Sequence, residues 1–178
     1  MTWGDRMKLL FDYVKVERTL RRMAHEILER NQDYGNMVLL GIKRNGYPIA
    51  KLLQGNILEF EGINIPTHEL DISGYRDDRE EQVETKLAIN LKNKIVILVD
   101  DVLYTGRTIR AAMDAVVDHG RPAMIQVATL IDRGHRELPI RADYVGKNIP
   151  TRFEESVVVD VIHKKGVYLT IKQEEDNG

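Results

Sequence analysis

The strongest constraint on the fold of this 178-residue chain is an apolar run that ends in two adjacent carboxylates. Ile95 to Val99 are five consecutive apolar residues, four of them β-branched, which is typical of a strand buried on both faces of a parallel sheet. Asp100 and Asp101 follow directly, and a short turn then leads into a helical pattern. Because ligands of open α/β sheets bind beyond the carboxyl ends of the strands, we expect a site here.

The turn after the two carboxylates contains the residue types that favour a phosphate. Gly106 permits a close approach of the backbone, Thr105 and Thr108 supply hydroxyls, and the start of the helix supplies backbone N–H groups. The carboxylates repel the same anion, so they suit sugar hydroxyls or a magnesium ion one sugar length away. An acidic pair alone is often a helix cap, and a Thr-Gly turn alone is often only a turn. Their combination in this order favours a sugar-phosphate site.

Strand and helix patterns alternate along the rest of the chain. Helices are predicted at residues 13–31, 47–54 and 109–117, and further strands at residues 37–42, 63–72, 125–131, 157–162 and 167–171. This alternation predicts an α/β fold with a central, mostly parallel sheet flanked by helices. We expect one domain over residues 1–178, with the first dozen residues unassigned and residues 174–178 frayed. Residues 73–94 form a polar connection, which predicts a mobile functional loop or a disordered one.

The composition excludes several classes of protein. The chain has no cysteine, which rules out a disulfide scaffold and a thiol nucleophile. Its longest uncharged stretch has ten residues, too short to span a bilayer, and charges near the start do not suit a secretory leader. We therefore expect a cytoplasmic protein. A net charge of −2 and 6% aromatic residues argue against a non-specific polyanion binder or a base-stacking platform.

The segment from Val96 to Thr108 resembles the phosphoribosyl pyrophosphate (PRPP) signature of type I phosphoribosyltransferases. The resemblance implies the fold of that family, with a small hood and a flexible lid loop. It also implies that Asp100 and Asp101 bind the ribose hydroxyls and reach Mg²⁺ through the ribose or water. The implied 5′-phosphate loop consists of Tyr104, Thr105, Gly106, Arg107 and Thr108.

A second loop, Gly41-Ile-Lys-Arg-Asn-Gly46, resembles the pyrophosphate loop of the same family. Lys43 and Arg44 between two glycines fit a polyanion, although the same residues would also suit a surface turn. Arg76, at the start of the predicted lid, is implied to clamp the leaving pyrophosphate. Lys43, Arg44 and Arg76 are therefore the predicted catalytic residues.

The stretch from Asp132 to Thr151 is similar, almost residue for residue, to the pyrimidine operon attenuation regulators, the PyrR family. The likeness runs from about residue 16 to residue 159. It implies a homodimer or higher homo-oligomer that binds pyrimidine operon leader mRNA when UMP and UTP are plentiful, promoting termination. It also implies a uracil phosphoribosyltransferase that makes UMP from uracil and PRPP. The base pocket is implied at Asp132, Arg133 and Gly134, and the RNA surface at Arg22, His25, Arg30, His135, Arg136, Arg141 and Lys147.

The charge pattern gives separate support for an RNA surface. Residues 133–152 contain five basic and two acidic residues in a chain whose total is negative. Arg18, Arg22 and His25 form one stripe of the first predicted helix. Arginines on an exposed helix are nevertheless commonly solvated or paired. His135 and Arg136 are alternatively predicted to shape the base pocket.

Two departures from the family pattern keep the functional alternatives open. Tyr104 stands where purine-using relatives carry an acid, which favours a pyrimidine substrate, and no general base can be assigned. The segment between residues 78 and 95 is several residues shorter than in typical members, which bears on the catalytic rate. Three hypotheses follow: a regulator whose transferase site senses nucleotide, a salvage enzyme without an RNA role, and an RNA-binding regulator with weak or lost catalysis.

Overall fold

A computed structural model describes residues 7–77 and 87–171 and confirms the α/β fold. Within these residues the helices are α1 (Tyr13–Arg30), α2 (Gly46–Glu61) and α3 (Arg107–His119). The strands are β1 (Met7–Phe11), β2 (Met37–Ile42), β3 (Thr67–Leu70), β4 (Ile95–Leu103), β5 (Met124–Asp132), β6 (Tyr144–Asn148), β7 (Glu155–Asp160) and β8 (Gly166–Ile171). Short 3₁₀ turns lie at Tyr34–Asn36 and Ser73–Tyr75.

Strand β4 is the middle strand of a five-stranded sheet whose order is β3-β2-β4-β5-β6 and whose neighbouring strands are all parallel. Its side chains alternate between two cores. Ile97 and Val99 pack in the cluster formed with α1 and α2, whereas Val96 and Leu98 pack in the cluster formed with α3. The prediction of a central strand buried on both faces is therefore confirmed.

A second, antiparallel sheet of order β1-β8-β7 lies beside α1. Val159 of β7 and Val167 of β8 belong to the same apolar cluster as Val16 and Leu20 of α1, so the two sheets share a core. β1 falls among the first dozen residues, for which no element was predicted. The first three residues of β1 are exposed and only Phe11 is buried, so the strand lacks the run of buried apolar residues that marks a core strand.

Several element boundaries differ from the predictions. Helix α2 extends to Glu61 because the exposed Gly55 does not interrupt it. β3 covers only Thr67–Leu70, a shorter strand than predicted. Val117, predicted as part of the apolar face of α3, is 62% exposed. Strand β6 was not predicted, because Gly146 and the polar residues after it break up its apolar pattern.

Part of the sequence-based expectation lies outside the described residues. The predicted lid loop includes residues 78–86, and the predicted frayed end comprises residues 174–178; neither segment is described. Among the residues that are described, none of the helices is both long enough and apolar enough to cross a membrane.

Two glycines that flank the loop between β2 and α2 have no room for a side chain. A Cβ atom on Gly46 would lie 2.2 Å from the carbonyl oxygen of Val99, and one on Gly41 would lie 2.3 Å from Cα of Tyr47. These distances are far below any van der Waals contact. Gly46 therefore lets the start of α2 lie against the carboxyl end of β4, and Gly41 lets β2 lie against the backbone of Tyr47.

Substitution of Gly46 tests this close approach. We expect Gly46→Ala to lower the free energy of unfolding by about 2–3 kcal/mol or more, because backbone atoms on both sides must move apart. The matched control is Gly55→Ala in the same helix, where no atom lies within 4 Å of the added Cβ. The control should gain roughly 0.5–1 kcal/mol from helix propensity. Urea unfolding measures both, and equal midpoints for the Gly46 variant and the parent would contradict the packing argument.

Candidate active site

The two carboxylates at the end of β4 are held by backbone and side-chain donors. Asp100 is only 7% exposed, and its Oδ1 accepts a 2.9 Å hydrogen bond from the backbone N–H of Asp101. Oδ1 of Asp101 accepts from the N–H of Val102 at 2.8 Å, and Oδ2 accepts from Nδ2 of Asn45 at 3.1 Å. Both residues line a cavity rather than the packed core, as the sugar-binding prediction requires.

That cavity brings together the segments predicted to bind PRPP. It has a volume of about 560 Å³, and its lining includes Lys43, Arg44, Asn45, Arg76, Asp100, Asp101 and Thr108. Nζ of Lys43 lies 3.6 Å from a carboxylate oxygen of Asp71, and the peptide bond between Lys43 and Arg44 is cis. Three cations therefore share one cavity with the acidic pair. Asn45 was not predicted as a site residue, because an Asn before a Gly in sequence indicates only a turn.

The electrostatics of the acidic pair favour a ligand that brings positive charge or hydroxyl donors. Burial, followed by the neighbouring charge of Asp101, raises the pKa of Asp100 well above its ordinary value. Among the described residues there is no group of three or more His, Cys, Asp or Glu that would hold a metal ion. Mg²⁺ typically keeps several waters and uses one or two carboxylates together with substrate phosphates. The pair therefore fits a magnesium ion that arrives with a phosphorylated ligand.

The turn between β4 and α3 brings a left-handed glycine and two threonines to the start of a helix. Gly106 has φ of +93°, a left-handed conformation, and a Cβ there would lie 3.2 Å from Cβ of Ile140. Oγ1 of Thr105 accepts from the N–H of Arg107, the first residue of α3, at 3.2 Å, and Gly106 at the N-cap position has no side chain to cap the helix. The residues predicted to form the 5′-phosphate loop therefore lie at a helix start, where backbone N–H groups favour an anion, and the phosphate site stays a prediction. The guanidinium of Arg107 is bound to Asp77 at 2.7 Å and to Glu137 at 3.4 Å.

The residues predicted to form the base pocket line a separate cavity of about 490 Å³, together with Asn148, Pro150 and Thr151. Arg133 is only 4% exposed. Its guanidinium lies 4.0 Å from the ring centre of Tyr104, and its Nε donates to Oγ1 of Thr151 at 2.9 Å. Arg133 therefore supports the wall of this cavity and adds little to the surface charge that the sequence count assigned to it. The N–H of Gly134 is bound to Oδ1 of Asp132 at 3.0 Å.

His135 and Arg136 lie in the same cavity wall. Arg136 pairs with Asp132 and donates to the carbonyl oxygens of Tyr104 at 2.7 Å and Ile140 at 2.8 Å. Nε2 of His135 contacts the carbonyl oxygen of Thr151. These positions favour the alternative in which the two residues shape the base pocket. The ring of Phe153 lies 4.4 Å from that of His135 and is 72% exposed, and no pattern in the sequence had indicated it.

The other predicted RNA-binding residues are exposed on α1, on β6 and just before β6. We call Arg22, His25, Arg30, Arg141 and Lys147 the basic face. Arg22 donates to the carbonyl oxygen of Gly146 and pairs with Glu26, and Arg30 pairs with Asp143 at 2.9 Å. His25 stacks on Phe60 with ring centres 4.0 Å apart. The side chains of α1 thus connect this helix to β6 while remaining about half exposed.

Comparison with known proteins identifies the family. A model of the phosphoribosyl transferase domain matches residues 9–162. A hypoxanthine phosphoribosyltransferase from Staphylococcus aureus superimposes with a TM-score of 0.75 at 22% identity, covering 95% of this chain and 93% of the other. The chain belongs to the phosphoribosyl transferase family, and the superposition independently supports the fold.

Curated relatives narrow the assignment. The "Bifunctional protein PyrR" of Oceanobacillus iheyensis is 54% identical over 160 residues, which cover 85% of this chain and 89% of the relative. A "Pyrimidine operon regulatory protein" of Lactococcus lactis subsp. cremoris is 51% identical over 160 residues, with 89% and 92% covered. Within the phosphoribosyl transferase family, the chain is a member of the PyrR group.

The raised pKa of Asp100 predicts a specific dependence of stability on pH. A carboxyl whose folded pKa is raised stabilises the fold fully below its unfolded pKa of about 3.9, and this contribution is lost as pH rises through the folded pKa. Asp100→Asn keeps the oxygen that accepts from Asp101 and removes the buried charge. We expect the variant to exceed the parent in free energy of unfolding by roughly 1 kcal/mol or more at pH 8, and by less at pH 5.

Urea unfolding at the two pH values measures this difference. Asp118→Asn, on the exposed side of α3, is the control and should show a small change that is the same at both pH values. An Asp100 variant less stable than the parent at pH 8 would show that the carboxylate is required by the fold.

Proposed function

We propose that the chain is a bifunctional regulator: a uracil phosphoribosyltransferase that also binds pyrimidine operon leader mRNA and attenuates transcription in response to uridine nucleotides. The observation that carries the proposal is the meeting of Lys43, Arg44, Arg76, the acidic pair and Thr108 around one cavity at the carboxyl edge of the sheet. The names of the relatives, a bifunctional PyrR protein and a pyrimidine operon regulatory protein, support both halves of the proposal.

The transfer reaction replaces one bond at the anomeric carbon by another. The bond from that carbon to the pyrophosphate oxygen breaks, a bond from a uracil nitrogen forms, and the nitrogen gives up its proton. Negative charge accumulates on the leaving pyrophosphate. Lys43, Arg44 and Arg76 line the same cavity as the acidic pair, so we assign them an electrostatic and positional contribution at the leaving pyrophosphate.

The remaining residues orient the sugar and the base. Asp100 and Asp101 accept hydrogen bonds from the ribose hydroxyls, and the turn from Tyr104 to Thr108 holds the 5′-phosphate. The cavity beside Asp132 and Gly134 takes the uracil ring. Asp100 and Asp101 would hold Mg²⁺ through the ribose or water, where the ion neutralises charge on the phosphates of PRPP. Because the substrates are intracellular metabolites and the RNA is nascent mRNA, we propose a cytoplasmic location. We also propose a homodimer or higher homo-oligomer, as the family resemblance implies.

Replacing both carboxylates tests the transferase site. We expect the Asp100→Asn/Asp101→Asn double variant to lose PRPP binding and UMP formation from labelled uracil while retaining a cooperative melt. The matched control, Asp114→Asn/Asp118→Asn, removes two charges from the exposed side of α3 and should keep the activity of the parent. A parent that forms no UMP above background would instead support a regulator with lost catalysis.

The RNA half of the proposal rests on the basic face. We expect Arg141→Ala and Lys147→Ala each to weaken binding of a pyr leader hairpin about three- to tenfold in gel shifts with UMP present, because each removes a cation exposed to phosphate. Lys92→Ala removes the same charge at the opposite end of the sheet, before β4, and should leave binding unchanged. Leader affinity in the parent should rise when UMP is added. Affinity unchanged by UMP, or equal in all variants, would favour a salvage enzyme without an RNA role.

A further inference from the structure

An acidic side chain lies beside the candidate phosphate loop. Oδ2 of Asp77 accepts from Nη1 of Arg107 at 2.7 Å, and Oδ1 contacts Nη1 of Arg110. A cavity of about 270 Å³ is lined by Arg76, Asp77, Arg107 and Thr108. Arg76 and Thr108 also line the larger cavity that contains the acidic pair. The carboxylate of Asp77 is therefore next to the end of the site where a phosphate would be held.

The two arginines that contact Asp77 suit a phosphate equally well. Arg107 and Arg110 lie three residues apart in the first turn of α3, so their side chains are neighbours on the helix surface. Guanidinium groups bind carboxylates and phosphates with the same planar geometry of donors. The positive end of the helix dipole adds to the attraction for either anion.

Asp77 and Arg107 are both charged at neutral pH. The hydrogen bond from Arg107 is the largest cause that lowers the pKa of Asp77, and the hydrogen bond to Asp77 is the largest cause that raises the pKa of Arg107. A negative charge thus lies close to the loop that is expected to hold a dianionic phosphate. Two anions that bind the same guanidinium groups compete for them.

We propose that the carboxylate of Asp77 competes with the phosphate of a nucleotide ligand for Arg107 and Arg110. The carboxylate occupies these two arginines, and a phosphate bound at the loop displaces it. The inference rests on the proposed nucleotide site. It makes Asp77 a residue that limits affinity for phosphorylated ligands, with no contact to the reacting atoms.

The surrounding contacts allow this exchange at little cost. Each arginine has a second acidic partner, Glu137 at 3.4 Å from Arg107 and Asp114 at 3.5 Å from Arg110, so neither depends on Asp77 alone. The side chain of Asp77 is 38% exposed, and water can solvate its carboxylate after release. Ion pairs with this exposure are weak, and a phosphate with more charge and more acceptor oxygens competes with them effectively.

An alternative role for Asp77 predicts the opposite sign. If Asp77 served to hold Arg107 and Arg110 in the geometry that binds phosphate, its removal would loosen the arginines and weaken binding. If Asp77 acted only through general negative charge, removal of Asp114 would have the same effect, because Asp114 pairs with the same Arg110. Affinity measurements separate these three cases.

Calorimetric titration of the full chain with UMP and with uridine tests the proposal. We expect Asp77→Asn to bind UMP about three- to tenfold more tightly than the parent, with the gain decreasing at high salt. Uridine lacks the phosphate, so its affinity should not change. Asp114→Asn is the matched control and should bind UMP as the parent does.

Three results would contradict the direction, the position or the phosphate dependence of the predicted gain. They are weaker UMP binding by the Asp77 variant, equal gains in the Asp77 and Asp114 variants, and an equal gain for uridine. Parent and variant with equal UMP affinity would contradict the competition while leaving the proposed function intact. Absence of UMP binding to every protein, parent included, would contradict the proposed function and the inference with it.

Discussion

The two adjacent carboxylates of Asp100 and Asp101, at the carboxyl end of the buried strand β4, must be stabilised by the groups around them. Asp100 is almost inaccessible to water, and the charge of Asp101 adds to the cost of ionising it. Backbone N–H groups, Asn45 and the charge of Arg76 offset part of this cost. Asn45 reaches Asp101 because the next residue, Gly46, lies against the backbone of β4 at Val99. A side chain at position 46 would prevent this contact. Under the proposed function, the ribose hydroxyls and Mg²⁺ of bound PRPP would supply the rest of the compensation.

Local patterns were sufficient to predict the centre of the fold. The apolar run from Ile95 to Val99 is buried on both faces only if it lies between two apolar layers. In the structure α1 and α2 form one of these layers and α3 forms the other. The helix beginning at Tyr13 was equally predictable, because its apolar stripe is buried along its whole length. The loop at Gly41–Gly46 and the turn at Gly106 were predictable as neighbours, since both follow parallel strands whose carboxyl ends meet at one edge, and their role as ligand loops stays a prediction.

Contacts between distant segments could not be read from those patterns. Strand β6 carries Gly146 because a Cβ there would lie 2.3 Å from the carbonyl oxygen of Leu130, and this requirement arises only after folding. Arg133 counted as surface charge in the sequence, yet its guanidinium is stacked on Tyr104, 29 positions earlier in the chain. Asn45 and Phe153 likewise reach the site through tertiary packing. Spacing along the chain indicates residues on one element, whereas these residues come from different elements.

Strand β6 is where the two halves of the proposed function meet. The carbonyl oxygen of Gly146 accepts from Arg22 of the basic face, and Asn148, two residues further along, lines the base cavity. Lys147 lies between them and is exposed. Because Gly146 and Asn148 are two residues apart in one strand, we expect a ligand that shifts the backbone at Asn148 to shift the carbonyl oxygen that accepts from Arg22 as well. A nucleotide would change RNA affinity only if it bound the form of the protein that binds RNA with a different affinity from the form that does not. Under the proposed function, the three residues from Gly146 to Asn148 therefore connect the base cavity directly to the basic face.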